Sequence, residues 1–132
     1  MIIRNFQSES KKSGNEFEDL VEQDLKSRQA TIVGKDFNVK DIGIELDYIA
    51  DYPNKTEWVE AKGGKKGGKK RPGAERTDNV KKAIANGALL KVKHPDAFYV
   101  IYFSAPPKPG SYSDRMIETA LEAGYVNEVR FL

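Results

Sequence analysis

Apolar and polar positions alternate at two different periods along this chain, and the changes of period mark its elements. Phe17, Leu20, Val21 and Leu25 recur at spacings of three and four, which predicts an amphipathic helix running to about Arg28. Ser13-Gly14-Asn15-Glu16 ahead of it has the form of a capping box, with Ser13 at the N-cap and Glu16 at N3. The acids Glu16, Glu18 and Asp19 suit the positive end of that helix. Residues 1–12 are polar and read as a flexible tail. Thr31–Val33 and Phe37–Val39 are short strand candidates on either side of a turn-like Gly34-Lys35-Asp36. From 42 to 50 the period becomes two: Ile42, Ile44, Leu46, Tyr48 and Ala50 alternate with Gly43, Glu45, Asp47 and Ile49. The turn Asp51–Lys55 leads to a returning strand, Thr56–Lys62, so these two strands pair as a hairpin.

Gly63 to Gly73 holds five glycines and a proline among basic residues, and reads as a mobile basic loop. Thr77 or Asp78 can cap a helix over about 79–91 that turns Val80, Ala83, Ile84 and Ala88 inward. Phe98–Phe103 is a continuous apolar run, as in a central strand covered on both faces. A loop over Ala105–Gly110, a helix over about Asp114–Ala123 stopped by Gly124, and a last strand over Val126–Phe131 complete the chain. The predicted fold class is α/β: a mixed central sheet flanked by helices in the order α-β-β-β-α-β-α-β, forming one domain over 13–132.

Composition narrows the chemistry. The chain has 132 residues, 39% hydrophobic and 32% charged, which suits one globular domain with a heavily ionised surface. It has no cysteine and a single histidine, His94, so disulfides, thiolate sites and multi-histidine metal centres are excluded. Carboxylates and lysines must carry any reaction. The start of the chain has no apolar leader core, and no window approaches the roughly 18 apolar residues of a membrane span. The expected location is therefore the cytoplasm of a bacterium or of a virus-infected cell. The net charge of +2 conceals an asymmetry. Lys62, Lys65, Lys66, Lys69, Lys70, Arg71, Arg76, Lys81 and Lys82 face only Glu75 and Asp78 in one window, a surplus of seven positive charges. Such a block beside acidic clusters fits a polyanion-binding surface next to a cation site; it also fits a solvated lysine loop.

On the returning strand, Glu60 and Lys62 are two apart and share a face, and the hairpin can bring Asp47 opposite them. Two carboxylates and an ammonium make a site for a hard divalent cation of the kind phosphodiester hydrolysis requires. Cross-strand ion pairs on a surface hairpin would use the same residues. Glu9-Ser10-Lys11 and Asp24-Leu25-Lys26 share the acid-x-Lys spacing but lie in a polar tail and on a helix, where neighbours two apart point away from each other. His94, before Pro95, reads as a turn residue, and Trp58 and Tyr48 read as packing residues. Tyr112 and Ser113 have no assignable role.

Asp47 followed after twelve residues by Glu60-Ala61-Lys62 resembles the PD-(D/E)xK nuclease superfamily, in which an acid on one strand precedes (D/E)-x-K on the next. That family also carries a glutamate on an N-terminal helix, often four residues after a glycine. Gly14-Asn15-Glu16-Phe17-Glu18 makes Glu18 the match, with Glu16 as the alternative. Leu46 stands where a proline often precedes the motif acid. Lys12-Ser13-Gly14, Val59–Gly63, and His94-Pro95 leading into Tyr99–Ser104 are similar to Holliday-junction resolvases of the phage endonuclease I and archaeal types.

The resemblance implies a restriction-endonuclease-like core and a Mg2+-dependent endonuclease, with Mn2+ as a substitute, leaving 5′-phosphate and 3′-hydroxyl ends. It implies Asp47, Glu60 and the Ala61 carbonyl as metal ligands, Glu18 completing the site, and Lys62 positioning the attacking water. The partner implied is DNA, branched or four-way, cut by a homodimer. Lys65, Lys66, Lys69, Lys70 and Arg71 leave the catalytic strand directly and would contact flanking phosphates, with Arg76, Lys81 and Lys82 extending that surface. A general or repair-type nuclease of the same superfamily and a noncatalytic nucleic-acid-binding module are the competing readings.

Overall fold

In a computed structural model of the chain, which describes residues 16–64 and 72–132, five strands form one mixed sheet. Helix α1 spans 16–27 and is followed by strands β1 (Thr31–Val39), β2 (Ile44–Asp51) and β3 (Thr56–Lys62). A single 3-10 turn, Gly73–Glu75, leads into α2 (Thr77–Lys93); β4 (Phe98–Phe103), α3 (Tyr112–Ala123) and β5 (Glu128–Phe131) follow. The strand order is β1-β2-β3-β4-β5, antiparallel from β1 to β3 and parallel from β3 to β5. This is the predicted α/β fold class and element order.

The parallel half requires crossovers, which α2 and α3 supply on one face of the sheet. Their core gathers Val80, Ala83 and Leu90 of α2 and Ile117 and Ala120 of α3 over Ile44, Leu46, Tyr99, Ile101 and Phe103. Phe17, Val21 and Leu25 of α1 close the other face over Tyr48, Val59, Val100 and Tyr102. Strand β4 feeds both cores, as its unbroken apolar run demands. Gly87 lets α2 approach closely, since a Cβ there would lie 2.7 Å from the Tyr99 ring.

Several local expectations change. Residues 31–39 form one strand with no turn at 34–36: Val33 is an extra residue in the ladder, and Asp36 takes a left-handed backbone, φ 46°, within the strand. Leu20 is 51% exposed and outside the core, because Phe17, Val21 and Leu25 already fill the face that α1 turns to the sheet. Helix α2 begins at Thr77, with Arg76 in the N-cap position, so neither Thr77 nor Asp78 caps it. Ser111 caps α3, its side chain accepting from the Asp114 N–H, so that helix starts at Tyr112. The last strand begins at Glu128; the Asn127 side chain and main chain hold the preceding turn to Tyr99. Ser13 and most of the basic loop lie outside the described residues. Among the described residues no helix is long and apolar enough to cross a membrane.

Candidate metal centre

The even-numbered alternation read along β2 breaks at one residue. Leu46 packs in the α2/α3 core, whereas Tyr48, two residues on, packs in the α1 core. Asp47 lies at the switch. Strand β1 switches beside it, for Phe37 stacks edge-on against Trp58 on the α2 side while the Lys35 ammonium lies over Tyr48 and reaches Glu22 of α1. Between the paired residues Lys35↔Tyr48 and Phe37↔Leu46, the register sets Asp36 opposite Asp47. Oxygens of Glu18, Asp36 and Asp47 all lie within 4.8 Å of one another, a carboxylate group able to hold a metal ion. Asp36 was missing from the residues read off the sequence.

The β2–β3 ladder ends at Tyr48↔Val59, and beyond it the Asp47 side chain takes over. Its Oδ2 accepts the Ala61 N–H at 2.7 Å. In an extended strand the N–H and C=O of one residue face the same neighbour, so the Ala61 carbonyl also lies on the Asp47 side. Glu60 projects toward α2, is 5% exposed, and accepts a 2.7 Å hydrogen bond from Asn86 Nδ2. Burial first, then the adjacent Asp47, pushes the Glu60 carboxyl up to about 9; Lys62 and Asn86 oppose that rise. Lys62 is half-buried at the end of β3.

Glu18 reaches Asp47 from α1, on the other face of the sheet. Phe17 anchors the helix in the core, and the Tyr48 hydroxyl donates to the Glu18 carbonyl at 2.9 Å. Burial, then Asp47, with Asp36 and Asp19 behind, pushes the Glu18 carboxyl up to about 7. Glu16 is exposed and outside this group. The cleft has a volume of about 320 Å3 and is lined by Glu18, Asp19, Lys35, Asp36, Asp47 and Tyr48. A larger groove, about 640 Å3, lies between α2 and α3 and has no acid in its walls.

The structure thus brings Glu18 and Asp47 together and adds Asp36, while Glu60, with Lys62 and Asn86, adjoins Asp47 from the α2 side and lies outside the acidic cleft. Asn86 had a legible signal: it is a polar residue beside an inward stripe of Val80, Ala83, Gly87 and Leu90. Of the residues read as DNA-binding, Lys65, Lys66, Lys69, Lys70 and Arg71 lie outside the described residues. Arg76 pairs with Asp78 at 2.7 Å, and Lys81 and Lys82 are exposed on α2. His94 closes the C-terminal end of α2, its ring tilted against Trp58 with centroids 5.2 Å apart and Nε2 3.3 Å from Asp41.

No protein-family model matches the chain, and no curated protein matches it. Among solved structures the chain is similar to Pyrococcus furiosus SfsA in complex with Ca2+, at 19% identity and a TM-score of 0.48. That match covers 92% of this chain and 55% of the other, so the chain spans about half the length of that protein.

Proposed function

We propose that the chain is a Mg2+-dependent endonuclease that hydrolyses phosphodiester bonds in branched DNA, a junction resolvase in type. The observation that carries this reading is the position of Asp47 between two sets of acids, the Glu18 and Asp36 carboxylates within 4.8 Å on one side and the buried Glu60, with Lys62 near it, on the other. The donor set fits the cation: its side-chain ligands are hard carboxylate oxygens, and burial, with the neighbouring Asp47 behind it, disfavours the charged form of Glu18 and Glu60, a cost that a divalent ion offsets.

Asp47, Glu60 and the Ala61 carbonyl would hold Mg2+, with Glu18 and Asp36 completing or extending the site, and Mn2+ would substitute. When bound, the cation makes water more acidic and offsets the charge growing on the phosphate. The Lys62 ammonium donates to the attacking water and orients it toward the phosphorus, while Asn86 holds the Glu60 carboxylate at its edge of the site. The reading also takes the basic run 65–71, leaving the same strand, as the contact to flanking phosphates. Two symmetric cuts across a junction call for a twofold dimer, which is the assembly proposed.

The deciding experiment incubates the chain with a four-way junction and with matched linear duplex, each with Mg2+ and with EDTA, beside Glu60→Gln and Lys62→Ala. Mg2+-dependent cleavage of the junction, lost in both variants with DNA binding retained, is the expected result. Equal cleavage of both DNAs would replace the resolvase with a general nuclease. Binding without hydrolysis on any DNA would leave a noncatalytic nucleic-acid-binding module and overturn the enzymatic reading.

A further inference from the structure

The groove between α2 and α3 differs chemically from the acidic cleft. Its floor is apolar, with Ile84 and Met116, and Lys81 and Arg115 stand on its walls without a carboxylate among the lining residues. Neither cation makes an ion pair among the described residues. Tyr112 and Tyr125, at opposite ends of α3, are 78% and 47% exposed, a large unburied aromatic surface for so small a domain.

Helices α2 and α3 each join parallel strands, so they run in the same direction and open their N-terminal ends, at Thr77 and Tyr112, at the same end of the groove. The acid in the first turn of α2, Asp78, is paired with Arg76 at 2.7 Å and is not among the lining residues. An apolar floor beside the exposed Tyr112, two cations without an ion pair among the described residues, and a volume of about 640 Å3 suit a small aromatic anion. A second copy of the chain suits it poorly, because a twofold contact centred on the groove would set the Lys81 and Arg115 of both copies against each other.

We propose that this groove binds one nucleotide of an unpaired DNA segment, the phosphate held by Lys81 and Arg115 and the base laid on the Tyr112 ring. Base-on-aromatic stacking is tolerant of sequence and needs an unpaired base, so the groove would recognise open or branched DNA and pass over a closed duplex. The choice of DNA rests on the reading of the acidic cleft; the recognition of a base with its phosphate does not. Asn86, which holds Glu60, follows Ala85 of the groove wall on the same helix, so an occupied groove would sit one helix away from the acids.

The test uses the full chain in EDTA, so that no cleavage is read. Labelled hexathymidylate and a matched duplex are titrated by fluorescence anisotropy, and amide NMR shifts locate the binding. The expected result is hexathymidylate shifts at Lys81, Tyr112 and Arg115. Tyr112→Ala should weaken that binding about tenfold or more with duplex binding within about twofold, and the double variant Lys81→Ala, Arg115→Ala should weaken hexathymidylate binding about tenfold or more and duplex binding by less. All three residues are exposed, so the fold is not at stake. Unchanged hexathymidylate affinity in both variants, shifts confined to residues near 60–75, or shifts that follow protein concentration alone would each overturn the proposal. An absence of hydrolysis in the cleavage assay bears on the acidic cleft and leaves this binding result separate.

Discussion

Asp36 and Asp47 stand opposite each other on paired strands, with carboxylate oxygens within 4.8 Å, where like charges directly across a sheet destabilise it. Asp36 holds that place in a left-handed backbone at φ 46°. A repulsive pair in a strained setting is what a cation would relieve. Asp36→Asn should therefore raise the melting temperature in EDTA and shrink the rise produced by Mg2+. Thermal melts with and without the ion check this. An equal Mg2+ response in wild type and variant would remove Asp36 from the site.

Lys62 and Glu60 are expected to fail differently on substitution. Lys62→Ala removes an orienting ammonium and should lower the cleavage rate by about two to three orders of magnitude, with Mg2+ affinity little changed. Glu60→Gln keeps the shape and can still meet Asn86, but it removes a ligand charge, so Mg2+ affinity and rate should fall together. Calorimetric Mg2+ titration beside single-turnover cleavage separates the two. Identical metal binding in wild type and Glu60→Gln would exclude Glu60 as a ligand.

The pH dependence follows from the same acids. Glu18 and Glu60 sit at about 7 and about 9, above their ordinary 4.5, so the folded chain keeps protons that the unfolded chain has released. That contribution is complete below about pH 4.5 and is lost as pH climbs through 7 and then 9. Glu22, Asp24 and Glu57 are held low and act only on the acid side of this window. In EDTA the melting temperature should fall from pH 6 to pH 9, and Glu60→Gln should flatten the fall. Mg2+ displaces the same protons, so its stabilisation should grow with pH. A melting temperature independent of pH in both proteins would contradict the shifts.

The fold was legible because its elements obey simple periods. Phe98–Phe103 has the unbroken apolar run typical of a doubly covered strand, and Phe17, Val21 and Leu25 mark one helical face. The placement of Asp47 on one strand and of Glu60 and Lys62 on its antiparallel neighbour was legible from strand parity and spacing. Asp36 was not. Gly34-Lys35-Asp36 has the composition of a turn, and a chain in which Asp36 takes positive φ without leaving the strand has no local signal for it. Nor did alternation along β2 reveal that Leu46 and Tyr48 face opposite cores, since both are apolar and either face would bury them. Finding the Asp36–Asp47 pair needs the register, a long-range property set by the bulge at Val33.

Gly63 sets how closely α1 approaches the end of β3. It follows Lys62 directly, and a Cβ there would lie 2.7 Å from the Phe17 side chain, including its Cβ, so a ring rotation cannot relieve the clash. Gly63→Ala should push α1 off the sheet and carry Glu18 away from Asp47. A loss of about 1–3 kcal/mol in stability is expected from such overpacking. Cleavage should fall about tenfold, more than for Leu20→Ala on the exposed face of the same helix. Full activity in Gly63→Ala would show that the placement of α1 does not matter to the site.

Stability should depend most sharply on one buried ion pair. Glu57 is fully buried on β3 and accepts from Arg130 of β5 at 2.8 and 3.1 Å across the intervening β4, whose Tyr102 hydroxyl accepts from the same guanidinium at 2.8 Å. Tyr102 in turn donates to Asp24 of α1 at 2.6 Å, so the network ties the short last strand to the sheet and to the helix that carries Glu18. Burial raises the Glu57 carboxyl, but Arg130, Lys55 and Tyr52 together hold it below the usual range, so it stays charged. Arg130→Met leaves that charge without its main partner and should cost about 3–5 kcal/mol, roughly 10–20 °C in melting temperature. Removing both charges, Glu57→Leu with Arg130→Met, should recover part of that loss, because the penalty lies in the orphaned carboxylate more than in the missing attraction. A double variant no more stable than Arg130→Met alone would mean that Arg130 acts chiefly through Tyr102 and Asp24.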